Sequence, residues 1–201
     1  MILYGASGHA KVIIEILEQQ GLKIEGLIDA NPNVTQLLGY PVYPPGAQQV
    51  IDNVPVIIAI GNNVVRKKLA GQAGNNFGNA VHPSANISVR SVLGAGCVVM
   101  AGVCVNSSAE IGQHVILNTG CSVDHDCKIA DYVHISPKAA LAGNVIVGEG
   151  THIGIGACVK QGLTIGKWAT IGAGAVIIND VTDYAVVVGN PGRIIKYNNE
   201  L

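Results

Sequence analysis

The chain has 201 residues, 49% of them hydrophobic and only 12% charged, with 26 glycines but a single Phe and a single Trp. Its core must be built from aliphatic side chains and Ala rather than rings, and the charge-rich, aliphatic-poor composition of a disordered chain is excluded. A net charge of −1 gives no electrostatic footprint for nucleic acid or an anionic membrane, and no apolar run approaches the roughly 18 residues of a spanning helix.

The start, MILYGASGHAKVII, lacks a basic n-region and is interrupted by Gly5, Gly8 and His9, so no signal peptide is expected. Five cysteines, at 97, 104, 121, 127 and 158, form no CxxC pair; they read as reduced, buried thiols of a cytoplasmic protein. Ile2-Leu3-Tyr4 predicts a short strand, and Gly5-Ala6-Ser7-Gly8-His9 then turns into a helical pattern from Ala10 to Gln20, stopped by Gly21. Lys23 to Ile28 predicts a second strand ending at Asp29. Pro55 to Ile60 is a continuous β-run, followed by Gly61-Asn62-Asn63 and a helical stretch carrying Arg66, Lys67 and Lys68. This alternation predicts a small parallel α/β sheet of Rossmann-like type.

Two glycine turns that open helices after strands are places where a phosphate meets unpaired N–H groups and a positive helix end, with Asp29 placed to hold a ribose or base. The same glycines also suit plain turns, since GASGHA is not GxGxxG, and the residues leave both readings open.

A period of six then takes over. Every sixth residue from Val81 to Ile177, seventeen in all, is Val, Ile or Leu. A second series four residues later, from Ala85 to Val181, is almost entirely small. Two inward positions per six, one large and one small, fit short strands joined by tight turns on a three-sided prism. This is a parallel β-helix of hexapeptide repeats with a coil of about eighteen residues. The boundary falls near Asn79-Ala80, dividing the chain into residues 1–80 and 81–201.

Taken together, YGASGHA at the start, IAIGNN at 58–63, VHPSANIS at 81–88, ILNTGCSVDHDCKIADYVHIS at 116–136 and GNPGR at 189–193 resemble the acetyl-CoA-dependent sugar acetyltransferases that join a nucleotide-sugar-binding domain to a left-handed β-helix. UDP-4-amino-sugar N-acetyltransferases of the bacillosamine pathway, perosamine N-acetyltransferases and sialic acid O-acetyltransferases are similar. The resemblance implies acetyl-CoA as co-substrate, no metal, and a homotrimer with sites at subunit interfaces. It implies an N-acetyltransferase acting on the 4-amino group of a nucleotide-linked sugar such as UDP-4-amino-4,6-dideoxy-N-acetylglucosamine. O-acetylation of a sialic acid, or transfer to a perosamine, is the alternative.

The reaction needs a base for the acceptor and donors for the oxyanion. The resemblance assigns the base to His125, supported by Asp126, with Asn118 near the reacting amine. It places acetyl-CoA against His134, Gly143, Ile155, Ala173 and Arg193, and the nucleotide-sugar against Ser7, Gly8, His9, Asp29, Gly61 and Asn62.

Stacking arithmetic agrees, because residues eighteen apart lie about 4.8 Å apart on neighbouring coils. Gly143 falls on His125, leaving space beside the imidazole, while His152 falls on His134 and Ala173 on Ile155. Such a track suits a thin pantetheine arm. His82, His114 and His152 read as structural residues, and Cys121 and Cys127 as core. Carbonic anhydrases of the γ-type share the β-helix, but bind zinc through histidines five positions apart, a spacing no pair has here. A non-catalytic nucleotide-sugar-binding protein is the remaining competitor.

Overall fold

The computed structural model describes residues 1–46, 54–74 and 76–198. Its N-terminal sheet is centred on β1 (Ile2–Tyr4), flanked in parallel by β2 (Gly26–Ile28) and β5 (Val56–Ile58). Both flanking strands are shorter than their apolar runs predict. Pairing stops where β1 stops: Ile2 aligns with Gly26 and Val56, and Tyr4 with Ile28 and Ile58. The sheet is mixed rather than purely parallel. β3 (Gln36–Leu37) and β4 (Tyr40–Tyr43) form an antiparallel edge hairpin around Leu38 and Gly39, both at positive φ. That pair of conformations is the two-residue turn compatible with strand twist, and no apolar run announces it.

Helix α1 (Gly8–Gln19) begins earlier than predicted and buries Ala10, Ile13, Ile14, Ile16 and Leu17, a stripe at 3–4 residue spacing. That stripe joins Leu3, Leu27 and Ile57 of the sheet with Ala80, Val98, Met100 and Ile116 of the repeat region. The N-terminal sheet is therefore bound to the repeats through a shared apolar core. Helix α2 (Asn63–Ala70) follows β5, with Asn62 as N-cap accepting from the Val65 amide at 3.0 Å.

From Ala80–Val81 to Val176–Ile177 the chain forms seventeen two-residue strands in three parallel sheets, a left-handed β-helix. A first face carries Val98–Val99, Ile116–Leu117, His134–Ile135, His152–Ile153 and Thr170–Ile171 in register. A second carries Cys104–Val105, Ser122–Val123, Ala140–Leu141, Cys158–Val159 and Val176–Ile177. The third carries Glu110–Ile111, Lys128–Ile129, Ile146–Val147 and Thr164–Ile165. Strand Ala185–Val188 extends the first face and Arg193–Tyr197 pairs antiparallel to it, closing that end.

The inward aliphatics and the small series form one core that includes Cys97, Cys121 and Cys127. All five cysteines are free, but Cys104 is half-buried and Cys158 exposed. Each of these two precedes an inward Val on a strand, so alternation turns it outward.

Each turn repeats one backbone conformation. Every sixth residue from Gly96 to Gly174 has a left-handed φ, and half of these positions are not glycine: Ser108, His114, Asp126, Tyr132, Lys138, Asn144 and Trp168. A non-glycine there costs about 1–2 kcal/mol, so these side chains are held at corners against a backbone preference.

A second set of glycines lies where coils touch. A Cβ on Gly94 would stand 2.6 Å from the Gly112 carbonyl. Gly94→Ala is expected to destabilise by about 1–3 kcal/mol. Gly71→Ala, at a helical φ of −65° with only an ordinary contact at 3.6 Å, is expected to stabilise by about 0.4–1 kcal/mol. Thermal unfolding of the two variants checks the contrast.

Candidate active site

Asp124, His125 and Asp126 form the turn between the second and third faces. The Asp124 carboxylate accepts from the His125 backbone N–H and from the Asn106 side-chain amide one coil away, each at 2.7 Å. Those bonds hold its pKa below the usual carboxylate range, the Asn106 contact being the larger cause. Asp126 occupies the left-handed corner position, at φ 59°, which brings its carboxylate to 2.7 Å from His125 Nδ1.

A carboxylate only accepts, so Nδ1 carries the proton and Nε2 is the basic nitrogen. The bond to Asp126 pushes the His125 pKa up from its ordinary value. Both side chains are about half exposed, at 55% and 52%. The imidazole itself lies over Gly143, where a Cβ would come within 2.6 Å of Nε2. The glycine thus makes room for the ring, rather than for a substrate atom beside it as the stacking arithmetic suggested.

On the first face, His134 stacks on His152 with ring centroids 4.9 Å apart and planes 7° from parallel. His134 Nδ1 faces the Gly61 carbonyl at 3.4 Å, and Nε2 faces the Asn118 amide nitrogen at 3.1 Å. A carbonyl also only accepts, so Nδ1 carries the proton and Nε2 receives the Asn118 N–H. The Asn118 oxygen is fixed by the Thr119 amide at 2.8 Å, which leaves one Asn118 N–H uncommitted. Burial first, then the charges of His152, Arg66 and His9, drive the His134 pKa down to about 3. With Nδ1 toward the Gly61 carbonyl and Nε2 toward the Asn118 amide, His134 is placed as a neutral hydrogen-bonding residue. His152 is bonded to Ser136 Oγ at 2.7 Å.

Gly61, Asn62, His134 and His152 line a cleft of about 670 Å³ together with Asn63, Val64, Trp168, Thr170 and Asn198. The N-terminus of α2 lines it, and His9 in the first turn of α1 acts by its charge on His134. Ser7 caps α1 without a side-chain hydrogen bond, and no acidic residue lies in its first turn. His9 has a pKa lowered to about 4 by burial and then by Arg66, and its Nε2 is enclosed without a partner. Asp29 accepts from the Ala6 amide at 2.7 Å and the Asn31 amide at 2.9 Å, so it braces the first glycine turn.

The expected acetyl-CoA residues, apart from His134, flank the second face. Gly143 lies on the corner shared with His125, and Ile155 and Ala173 lie on the opposite corner, toward the first face. Between them a shallow cleft of about 360 Å³ runs over Asn106, Ser122, Asp124, Ala140, Ala142 and Cys158. A further cleft beyond Ile177 includes Arg193, whose guanidinium, among the described residues, donates to its neighbour's carbonyl, Gly192 O. Within one chain, then, His125 lies across the second face from His134 and Asn118.

Sequence reasoning missed Arg66, Asn63, Trp168 and Asn198. Arg66 sits in an apparently solvated run, Arg66-Lys67-Lys68, yet is 1% exposed. Only its phase on α2, three residues after Asn63, distinguishes it from its neighbours.

Residues 1–73 match the PglD N-terminal domain family. UDP-N-acetylbacillosamine N-acetyltransferase of Bacillus subtilis (strain 168) is 39% identical over 108 residues, 49% of this chain; the match spans half the length of that curated relative. A solved structure of a histidine-to-asparagine mutant of perosamine N-acetyltransferase from Caulobacter crescentus, in complex with CoA and GDP-perosamine, has 39% identity and a TM-score of 0.93. The match covers 97% of this chain and 96% of that one. This chain belongs to the sugar N-acetyltransferase family. The acetyltransferase domain of PglB from Neisseria gonorrhoeae, in complex with acetyl coenzyme A, has 35% identity over 96% of this chain and 98% of that one, with a TM-score of 0.90.

A histidine acts as a general base only when neutral, so on the general-base reading of His125 proposed below activity is expected to rise with pH through its pKa, which Asp126 holds above the ordinary imidazole value. Asp126→Asn removes that support, so the acidic limb of the pH–rate profile is expected to move to lower pH while the plateau falls. Initial rates from about pH 5 to about pH 9 read both effects.

Proposed function

We propose that this chain transfers the acetyl group of acetyl-CoA to the 4-amino group of a nucleotide-linked amino sugar. His125 is the general base and both substrates are bound together. The observation that carries this reading is the His125–Asp126 bond at 2.7 Å, which assigns the proton to Nδ1 and leaves Nε2 to accept one.

The amine nitrogen attacks the thioester carbonyl as Nε2 takes its proton; the C–S bond then breaks, and coenzyme A leaves as the thiol after receiving a proton. The uncommitted Asn118 N–H is a donor for the acceptor or the oxyanion. Transfer is direct, without an acetylated enzyme: burial raises the Cys127 thiol, next in sequence to Asp126, and pushes Cys121 up to about 12, leaving neither as a thiolate nucleophile.

Residues 1–80 hold the nucleotide-sugar, with Ser7, Gly8, His9, Asp29, Gly61 and Asn62 around two helix N-termini that suit a diphosphate. Residues 81–201 carry out the transfer. The pantetheine arm follows the small residues of the second face from His125 past Gly143, Ile155 and Ala173 toward Arg193, a guanidinium suited to a phosphate. Because His125 and the Asn118–His134 pair lie on different faces of one chain, the working site takes its base and its binding residues from adjacent copies in a homotrimer.

The relatives' names span UDP- and GDP-linked sugars; a GDP-perosamine acceptor is the second reading. The same base also serves a hydroxyl acceptor such as a sialic acid. A coenzyme A release assay over UDP-, GDP- and dTDP-linked 4-amino sugars, with CMP-sialic acid included, separates these. His125→Ala is expected to lower turnover by about 10²–10⁴-fold with little change in binding. Near-normal turnover sinks the assignment of the base, and a strictly monomeric active species in sedimentation sinks the shared site.

A further inference from the structure

Arg66 is buried in α2 with no carboxylate partner among the described residues. Its Nε donates to the His114 carbonyl at 2.9 Å, and Nη1 donates to the carbonyls of Ile60 and Gly61 at 3.1 and 3.2 Å. Nη2 donates to Asn63 Oδ1 at 2.8 Å and the Tyr132 carbonyl at 2.7 Å. All five guanidinium N–H groups are thereby satisfied. Asn63 in turn donates to the carbonyls of Gly150 and Thr151. The acceptors His114, Tyr132 and Gly150 are spaced by eighteen residues, so α2 is stapled to one corner of three successive coils.

One of the five contacts leads to the site. The Gly61 carbonyl that Arg66 holds is the carbonyl that faces His134 Nδ1, and His134 Nε2 is the acceptor for Asn118. We propose that Arg66 is a positioning residue for acetyl transfer: by clamping the Gly61 carbonyl it holds His134 as a hydrogen-bond acceptor and so fixes the Asn118 amide in one orientation. The inference rests on the transfer reading above, because it assigns the free Asn118 N–H to the reacting groups.

The field of the guanidinium acts in the same direction as its bonds. The ionisable groups facing His134 are His9 from α1, Arg66 from α2 and His152 from the next coil. Each is cationic when charged, so each opposes a proton on Nε2. A protonated Nε2 would donate rather than accept, and Asn118 would lose its anchor.

The test combines turnover with ¹⁵N spectroscopy of histidine-labelled full-length protein, the His134 signals being assigned with His134→Gln. In the wild type, Nδ1 is expected to be protonated and Nε2 unprotonated from about pH 8 down to about pH 5. Arg66→Met is expected to raise the pH at which His134 titrates and to lower kcat by about 10²-fold, with little change in either KM. Arg66→Lys keeps the charge but not the fork. It is therefore expected to lower kcat while leaving the His134 titration close to that of the wild type.

A wild-type His134 that carries its proton on Nε2, or that titrates in the ordinary imidazole range, overturns the proposal without any variant. So does an Arg66→Met protein whose kcat falls only in proportion to its folded fraction. If Arg66→Met does not fold, the wild-type tautomer and Arg66→Lys decide. A wild type that acetylates no acceptor in the panel refutes the transfer reading instead, while the imidazole spectrum still judges the clamp.

Discussion

A prism three strands wide admits one large and one small inward side chain per six residues, and most of this molecule follows from that restriction. Rings are excluded from the interior, so they stand outside it: His134 and His152 stack on the first face, and at one corner His114 stacks on Tyr132 with centroids 5.2 Å apart and planes 4° from parallel, with Trp168 at the same corner two coils later. The left-handed φ at each corner sets where those side chains emerge. Asp126 is one of them, and that conformation lets its carboxylate reach back to the residue before it. The geometry of the His125–Asp126 pair is thus a consequence of the turn that every hexad must make.

The second constraint is the cost of burying a cation. Taking a guanidinium out of water is expensive, and here five oxygen acceptors offset it in place of a counter-ion. Four of them are main-chain carbonyls, which cannot be mutated away. Burial lowers the Arg66 pKa only to about 10, so the guanidinium stays ionised at neutral pH, and its charge adds to burial in disfavouring protonation of His9, His114, His134 and His152. His125, on another corner and in contact with Asp126, is shifted the other way. Two environments therefore separate four histidines whose protonation burial and Arg66 disfavour from His125, the proposed base.

The fold was legible because its signals are local and repeated. The hexad period exposes the solenoid, its coil length and the core cysteines, since each inward position obeys the same rule. The N-terminal sheet was legible in outline, but its edge hairpin depends on Leu38 and Gly39 sharing one turn rather than on an apolar run. Cys104 and Cys158 were misplaced because composition marks a cysteine as apolar without saying which side of a strand it occupies.

Of the candidate site, the Asp124-His125-Asp126 turn stands out in the sequence because charged residues interrupt a monotonous repeat. Arg66 does not, because beside Lys67 and Lys68 it looks like part of a solvated helix face. The solenoid and its columns of stacked residues are legible in the sequence through the period, and the family motifs through their residue types. Only the tertiary structure decided which nitrogen of His125 is free, that its imidazole fills the space over Gly143, and that Arg66 connects α2 to three coils. Hydrogen-bond direction and burial arise from contacts between residues as far apart as Arg66 and Tyr132, and no local pattern encodes such pairs.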